Sequence, residues 1–270
     1  MDTMSRLDGK IAVITGAAQG IGEATARLFA ARGIAGLLLT DRQAEKGEAV
    51  AASLRASVPT EFIAADLADP EQLLRIIPAA DAAFGRIDIL VNVAGLTDRG
   101  TIWDTSLELW DRMFAVNVRA PFALMQGALK LMEREKIQGT IVNIISVNAH
   151  GGTSFLTPYS ASKGALVTLT KNVAHSVSRN RIKVNGLNIG WVDTPGEHET
   201  LKRFHGAGEN WLAEAESTRP FGRLMKPDEV ARAIGFLASA ESGLMTGAII
   251  DFDQLVIGAN ESVGPRKSGG

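Results

Sequence analysis

A solitary tyrosine, Tyr159, stands four residues before Lys163 in a chain that carries ten phenylalanines. Flat apolar bulk was available without a phenol, so this hydroxyl invites a chemical reading. Residues four apart share one face of a helix, and the ammonium can reach whatever cleft the phenol faces. A positive charge at that range favours phenolate and pulls tyrosine below its ordinary value of about 10. A general base working near neutral pH needs that shift. An isolated Tyr-x-x-x-Lys also describes a surface tyrosine beside a solvated lysine, so other parts of the chain must decide.

A second chemical signal lies near the N-terminus, where residues 15–22 read Thr-Gly-Ala-Ala-Gln-Gly-Ile-Gly. Gly16 permits a tight turn, Gly20 lets backbone approach a pyrophosphate, and Gly22 lets the following helix pack closely. Gln19 and Ile21 complete the turn as expected cofactor contacts. The helix N-terminus adds free N–H groups and the positive end of a dipole. Asp41 follows 19 residues after Gly22. A carboxylate there accepts hydrogen bonds from the adenosine ribose and repels a 2′-phosphate. NAD is therefore expected over NADP, with Arg42 as the complicating neighbour.

These groups need elements to position them. Short apolar runs at residues 10–15, 36–40, 61–65, 87–92, 139–146, 182–188 and 247–252 read as strands. Helical patterns lie between them, at residues 21–32, 43–57, 70–84, 107–135, 157–179 and 227–238. Apolar strands alternating with helices predict a parallel sheet covered on both faces. The right-handed crossover rule then gives an α/β fold: one doubly wound Rossmann-type domain over residues 1–270, with about seven strands. The polar stretch at about 190–225 interrupts the rhythm and is expected to be a substrate lid.

The formal net charge is -2 and no basic tract stands out, so nucleic acid is not an expected partner. Cysteine is absent, which excludes disulfides and thiolate catalysis and fits a cytoplasmic protein. The N-terminal residues lack the apolar core of a signal peptide, and no apolar run is long enough to span a bilayer. The four histidines share no metal-ligand spacing, and no metal is expected. Residues 258–270 read as largely unstructured, with their first part able to dock on a neighbouring subunit.

Taken with these signals, the chain resembles the short-chain dehydrogenase/reductase family along nearly its whole length. The family's threonine and three glycines appear as Thr15, Gly16, Gly20 and Gly22. Its Asn-Asn-Ala-Gly strand motif is present as Asn92-Val93-Ala94-Gly95. Its helix asparagine corresponds to Asn117, its serine to Ser146, and its Tyr-x-x-x-Lys to Tyr159 and Lys163. Val93 departs from the motif. So does Asn188-Ile189-Gly190, where the family reads Asn-Pro-Gly, and Asp251-Phe252-Asp253-Gln254, where it reads Asp-Gly-Gly.

The resemblance implies that Tyr159 moves the proton of the substrate hydroxyl and that Lys163 lowers its pKa and holds the nicotinamide ribose. It implies that Ser146 donates to the substrate oxygen and that Asn117 positions a water. Asp66 and Leu67 would contact adenine, Asn92 and Gly95 would flank the cofactor, and Ile189 and Thr194 would meet the nicotinamide side. Asn148 and His150, on the loop after Ser146, are candidate substrate contacts beside Ser146 and Tyr159. Trp103, Trp191 and Trp211 could line the mouth. The expected activity is NAD-linked hydride transfer with a secondary alcohol or ketone of a sugar, sugar acid or polyol. The alternatives are an NADPH-dependent ketone or acyl reductase and a non-catalytic dinucleotide-binding regulator. A homotetramer, built on the two long helices, is expected.

Overall fold

Seven parallel strands form one sheet in the computed structural model, which describes residues 3–259. Strand β1 (Ile11–Thr15) is buried at every residue and is followed by α1 (Gly20–Ala31). Next come β2 (Gly36–Asp41), α2 (Ala44–Arg55) and β3 (Thr60–Ala64). The predicted helix over 70–84 is two helices, α3 (Pro70–Leu74) and α4 (Ile76–Phe84). Strand β4 (Ile89–Asn92) precedes the longest departure from regular α-geometry. There α5 (Leu107–Phe114) passes through a π-turn, Ala115–Arg119, into α6 (Ala120–Arg134). The second half runs β5 (Thr140–Ile144), α7 (Thr157–Ser176) and β6 (Lys183–Ile189). It ends with α8 (Pro195–His205), α9 (Trp211–Ser217), α10 (Pro227–Ala238) and β7 (Ile249–Phe252). The expectation for residues 258–270 lies almost entirely outside the described residues.

The strand order is β3-β2-β1-β4-β5-β6-β7, so the connections wind outward in both directions from β1 and β4. Alternate residues of β1 supply the two layers of core: Ala12 and Ile14 pack under α1, α2 and α10, and Val13 faces α4, α6 and α7. Where strand order reverses, no helix fills the space beyond the carboxyl ends, and a crevice opens there. Thr15 fixes its walls: its Oγ1 accepts from Val93 and Ala94 N–H, each at 3.0 Å.

Residues 190–225, predicted as an irregular lid, hold two helices and a small core of Leu201, Trp211, Ala215 and Leu224. Lacking the family's proline, β6 continues through Ile189, which pairs with Phe252 of β7.

Candidate active site

A cleft of about 830 Å³ runs from the β2–α2 turn, across the glycine turn, to α8. Its size suits a dinucleotide with a small second ligand. At the adenosine end, Gly16 has φ +66°, and a Cβ there would lie 2.9 Å from Ala94 N. Gly20 has φ +60° and comes up against Thr194, whose Cβ would lie 3.4 Å from a Cβ at Gly20. Gln19 gives α1 no side-chain cap, so the first N–H groups stay open toward the cleft. Gly22 lies behind the cleft, pressed against the Gly16 carbonyl.

Asp41 lines this end with Oδ2 accepting from Ala18 N–H at 3.1 Å and Oδ1 from Gln43 N–H at 3.0 Å. Arg42 also lines it, and Lys46 Nζ donates to Gln19 Oε1 at 3.3 Å. Asp66 and Leu67 line the same end. Asn92 does not: its Nδ2 donates to Asn143 Oδ1 at 2.8 Å, inside the sheet. Open amides at a helix terminus, a Cβ-free cradle and a carboxylate at the ribose position fit a nicotinamide dinucleotide. When bound, that cofactor supplies the hydride acceptor or donor.

At the other end, the structure brings Ser146, Tyr159 and Lys163 into one cleft, with Gly95, Ile189 and Thr194 along its sides. The phenol lies within reach of Ser146, which stands just past the end of β5. Ser146 Oγ accepts from Asn148 N at 3.2 Å and Nδ2 at 3.3 Å, and Thr153 Oγ1 donates to Asn148 Oδ1 at 2.8 Å. Lys163 Nζ donates to the Ile144 carbonyl at 2.8 Å. Asn117 sits in the π-turn just behind. It clasps Leu96 N–H at 2.8 Å and Leu96 O at 3.0 Å, and donates to Ser162 Oγ at 3.0 Å. A Cβ on Gly95 would lie 3.3 Å from Asn117 Oδ1 and 3.4 Å from Lys163 Nζ, so these three groups meet. A π-turn widens one helical turn, which lets Asn117 reach the loop after β4.

The expectation that Lys163 acidifies the phenol is corrected here. Burial pushes Tyr159 up to about 12, against the hydrogen bond from Ser146; Glu197 adds to the rise and Arg99 opposes it. Burial lowers Lys163 to about 8. The side chains are in contact, with Nζ 5.8 Å from the ring centroid, yet desolvation favours the neutral form of each. Burial therefore favours a protonated phenol beside an amine that holds its proton less firmly than an ordinary lysine.

The substrate contacts divide. Asn148 lines the cleft. His150 does not: Asp251 Oδ1 lies 2.9 Å from its Nε2, and Asn188 Nδ2 at 3.3 Å, on the flank formed by β6 and β7. Its 3₁₀ turn, Val147–His150, rotates the ring away from Asn148. Trp191 lines the cleft, Trp211 is buried in the small core, and Trp103 is 92% exposed and away from it.

Sequence reading does not single out Glu197. Residues 194–197, Thr-Pro-Gly-Glu, have the pattern of a capping box. Thr194 Oγ1 does accept from Glu197 N–H at 3.1 Å. The carboxylate instead takes Trp191 Nε1–H at 2.9 Å and lies 3.5 Å from Arg99 Nη2. Asp253 also enters the cleft, its carboxylate held over Gly190 where the family's glycines would stand. Among the described residues no cluster of three or more His, Cys, Asp or Glu could hold a metal, and no helix is long and apolar enough to cross a membrane.

Comparison with known proteins places this architecture. A family model described as Enoyl-(Acyl carrier protein) reductase matches residues 16–254. A 3-oxoacyl-(acyl-carrier-protein) reductase of Thermotoga maritima is 36% identical over 251 residues, 92% of this chain and 98% of the relative. Galactitol 2-dehydrogenase of Agrobacterium fabrum is 33% identical over 255 residues, 92% of this chain and 97% of that one. Among solved structures, L-sorbose reductase from Gluconobacter frateurii, complexed with NADPH and L-sorbose, superposes with a TM-score of 0.88. It is 29% identical, with 95% of this chain and 100% of that one covered. With the sheet order, the glycine turn and the Ser146, Tyr159 and Lys163 constellation, these likenesses show that the chain belongs to the short-chain dehydrogenase/reductase family of NAD(P)-dependent oxidoreductases.

Proposed function

We propose that this protein is an NAD-dependent dehydrogenase acting on a secondary alcohol, or the corresponding ketone, of a small polar substrate: a sugar, sugar acid or polyol. The observation that carries the reading is one cleft with the Tyr159 phenol, Ser146 and Lys163 at one end and the Asp41 carboxylate at the other. In this reading the protonated Tyr159 gives its proton to the substrate oxygen in reduction. In oxidation it takes the carbinol proton once bound cofactor and Lys163 have lowered its pKa, while Ser146 orients the substrate oxygen. Lys163 holds the nicotinamide ribose, and Asn117, through Leu96 and Ser162, keeps the Lys163 side of the site in register. Asp41 accepts from the adenosine ribose hydroxyls and repels a 2′-phosphate. Residues 190–225 close over the substrate. The galactitol dehydrogenase and sorbose reductase likenesses support a polyhydroxyl substrate.

A second reading, an NADPH-dependent ketone or acyl reductase, has its own support. Arg42 lines the cleft next to Asp41 and could receive a 2′-phosphate, and Lys46, bonded to Gln19, adds positive charge at the same end. The acyl-carrier-protein reductase relative and the NADPH-bound neighbour lean the same way. We further infer a cytoplasmic homotetramer, with exposed Leu107 and Phe122 on the α5–α6 face as part of a subunit contact. A reduction screen separates the readings: each of NAD and NADP is mixed with sugars, sugar acids and polyols, and absorbance at 340 nm is followed. The proposal expects turnover with at least one such alcohol and a preference for NAD. Better turnover with NADP would overturn the assignment to Asp41 and favour the second reading.

A further inference from the structure

We propose that Arg99 and Glu197 form a substrate-selecting pair in which the guanidinium donates to, and the carboxylate accepts from, neighbouring hydroxyls of a neutral polyol or sugar. The inference rests on the dehydrogenase reading above and narrows it, since it sets neutral polyhydroxyl compounds ahead of sugar acids.

Both side chains line the cleft, at 14% and 16% exposure, and come from different segments: Arg99 from the loop after β4 and Glu197 from the first turn of α8. Each is anchored from behind. Arg99 Nη1 donates to the Thr97 carbonyl at 2.6 Å and Nε to His205 Nε2 at 3.1 Å. Both Glu197 contacts, from Trp191 and Arg99, fall on Oε1. Oε2 has no hydrogen bond among the described residues. The carboxylate is not used on the helix cap its sequence pattern predicts, which leaves it available to the cleft. Both charges act on the Tyr159 phenol, so they stand within electrostatic reach of the atom that exchanges the proton.

The pair is electrically balanced, and that decides what it selects. A diol matches it, because each hydroxyl both donates and accepts. A substrate carboxylate would have to displace Glu197 from Arg99 and then sit beside the displaced charge. An apolar chain would cover both groups and leave their remaining hydrogen bonds unmade. Phe155, its ring centroid 5.8 Å from the Arg99 guanidinium, and Trp191, bonded to Glu197, add flat rings to the lining.

The test compares kcat/KM for a neutral hexitol and the matching aldonic acid in the intact protein, in Glu197→Gln and in Arg99→Met. NADH affinity is measured by fluorescence as a check on folding. Glutamine keeps an acceptor for Trp191 but leaves Arg99 with unbalanced charge. Expected are a wild-type preference for the hexitol and a drop of about tenfold or more for the hexitol in Glu197→Gln, carried by KM. A gain for the aldonate should accompany it, with NADH affinity within about twofold of wild type in both variants. Arg99→Met should weaken the hexitol without any gain for the aldonate. An unchanged hexitol-to-aldonate ratio in Glu197→Gln, or a wild-type preference for the acid, would overturn the pair while leaving the dehydrogenase reading standing. Absence of turnover with either compound class and either cofactor would bring down both.

Discussion

The two halves of the cleft are built by different means. The cofactor half is backbone and buried structure: Thr15 pins the loop after β4, Gly16 leaves no room for a side chain, and α1 opens its amides at Gly20. The 190–225 segment beside the other half hangs on charged side chains. Asp193 Oδ2 meets Lys226 Nζ at 2.7 Å, Lys226 reaches Glu216 at 3.4 Å, and Arg223 meets Glu229 at 2.7 Å. The first of these pairs ties the ends of that segment together beside the bridge between Val192 and Met225, and the others brace its C-terminal end. Partly exposed ion pairs contribute little and respond to salt and pH, while buried backbone geometry does neither. A dinucleotide site built the first way is fixed by the sheet, whereas a substrate site built the second way would be retuned by single side chains.

Breaking the chemistry while leaving the packing of both halves in place should give the largest effect. Tyr159→Phe keeps the ring packing and removes the proton, and kcat should fall about 10³-fold with NADH affinity unchanged. A near-normal kcat would contradict the proton-transfer role.

Lys163→Met probes the cost of burying an ammonium where the halves meet. Lys163 holds its proton more weakly folded, at about 8, than at the ordinary 10.5. Between those values the unfolded chain binds more protons, so stability rises with pH, by about 3 kcal/mol in all. Tyr159 acts in the opposite sense: raised from 10.0 to about 12, it contributes stability that is lost as pH climbs above 10. Urea unfolding from pH 7 to 10 should show the rise in wild type and its loss in Lys163→Met. An identical pH trend in both would contradict the buried charge.

Asp41→Ala sharpens the comparison within the cofactor half. It should narrow the NAD-over-NADP ratio about tenfold, because Arg42 and Lys46 remain. The smallest effect is expected at the lid. Lys226→Met should raise substrate KM by roughly threefold and leave NADH affinity alone, since the pairs it breaks are partly exposed. A loss of NADH binding there would erase the distinction between the halves.

The division also explains what could be read from the chain. Gly16, Asp41, Ser146 and the Tyr159–Lys163 pair sit at strand ends or one helical turn apart, so local spacing already states their geometry. The strand-and-helix alternation likewise gave the sheet, with boundaries off by a residue or two at most ends. Arg99 and Glu197 are 98 positions apart in sequence and meet only through the fold. His150 looked like a neighbour of Asn148 until Asp251, from the last strand, claimed its ring. The π-turn at Asn117 leaves no mark in a helical pattern. The direction of the Tyr159 shift depends on burial, which a one-turn spacing to Lys163 does not report.

Because Tyr159 is the only tyrosine, phenolate absorbance near 295 nm reports one residue, and Tyr159→Phe removes that signal entirely. Titrating the free protein and then the protein with saturating NADH, which withstands alkali, tests whether this phenol is buried beside the cofactor. The account predicts a midpoint raised well above the ordinary value of about 10 in the free protein and a shifted midpoint when NADH is bound. An ordinary midpoint of about 10 that ignores NADH would place the hydroxyl in open water and contradict it.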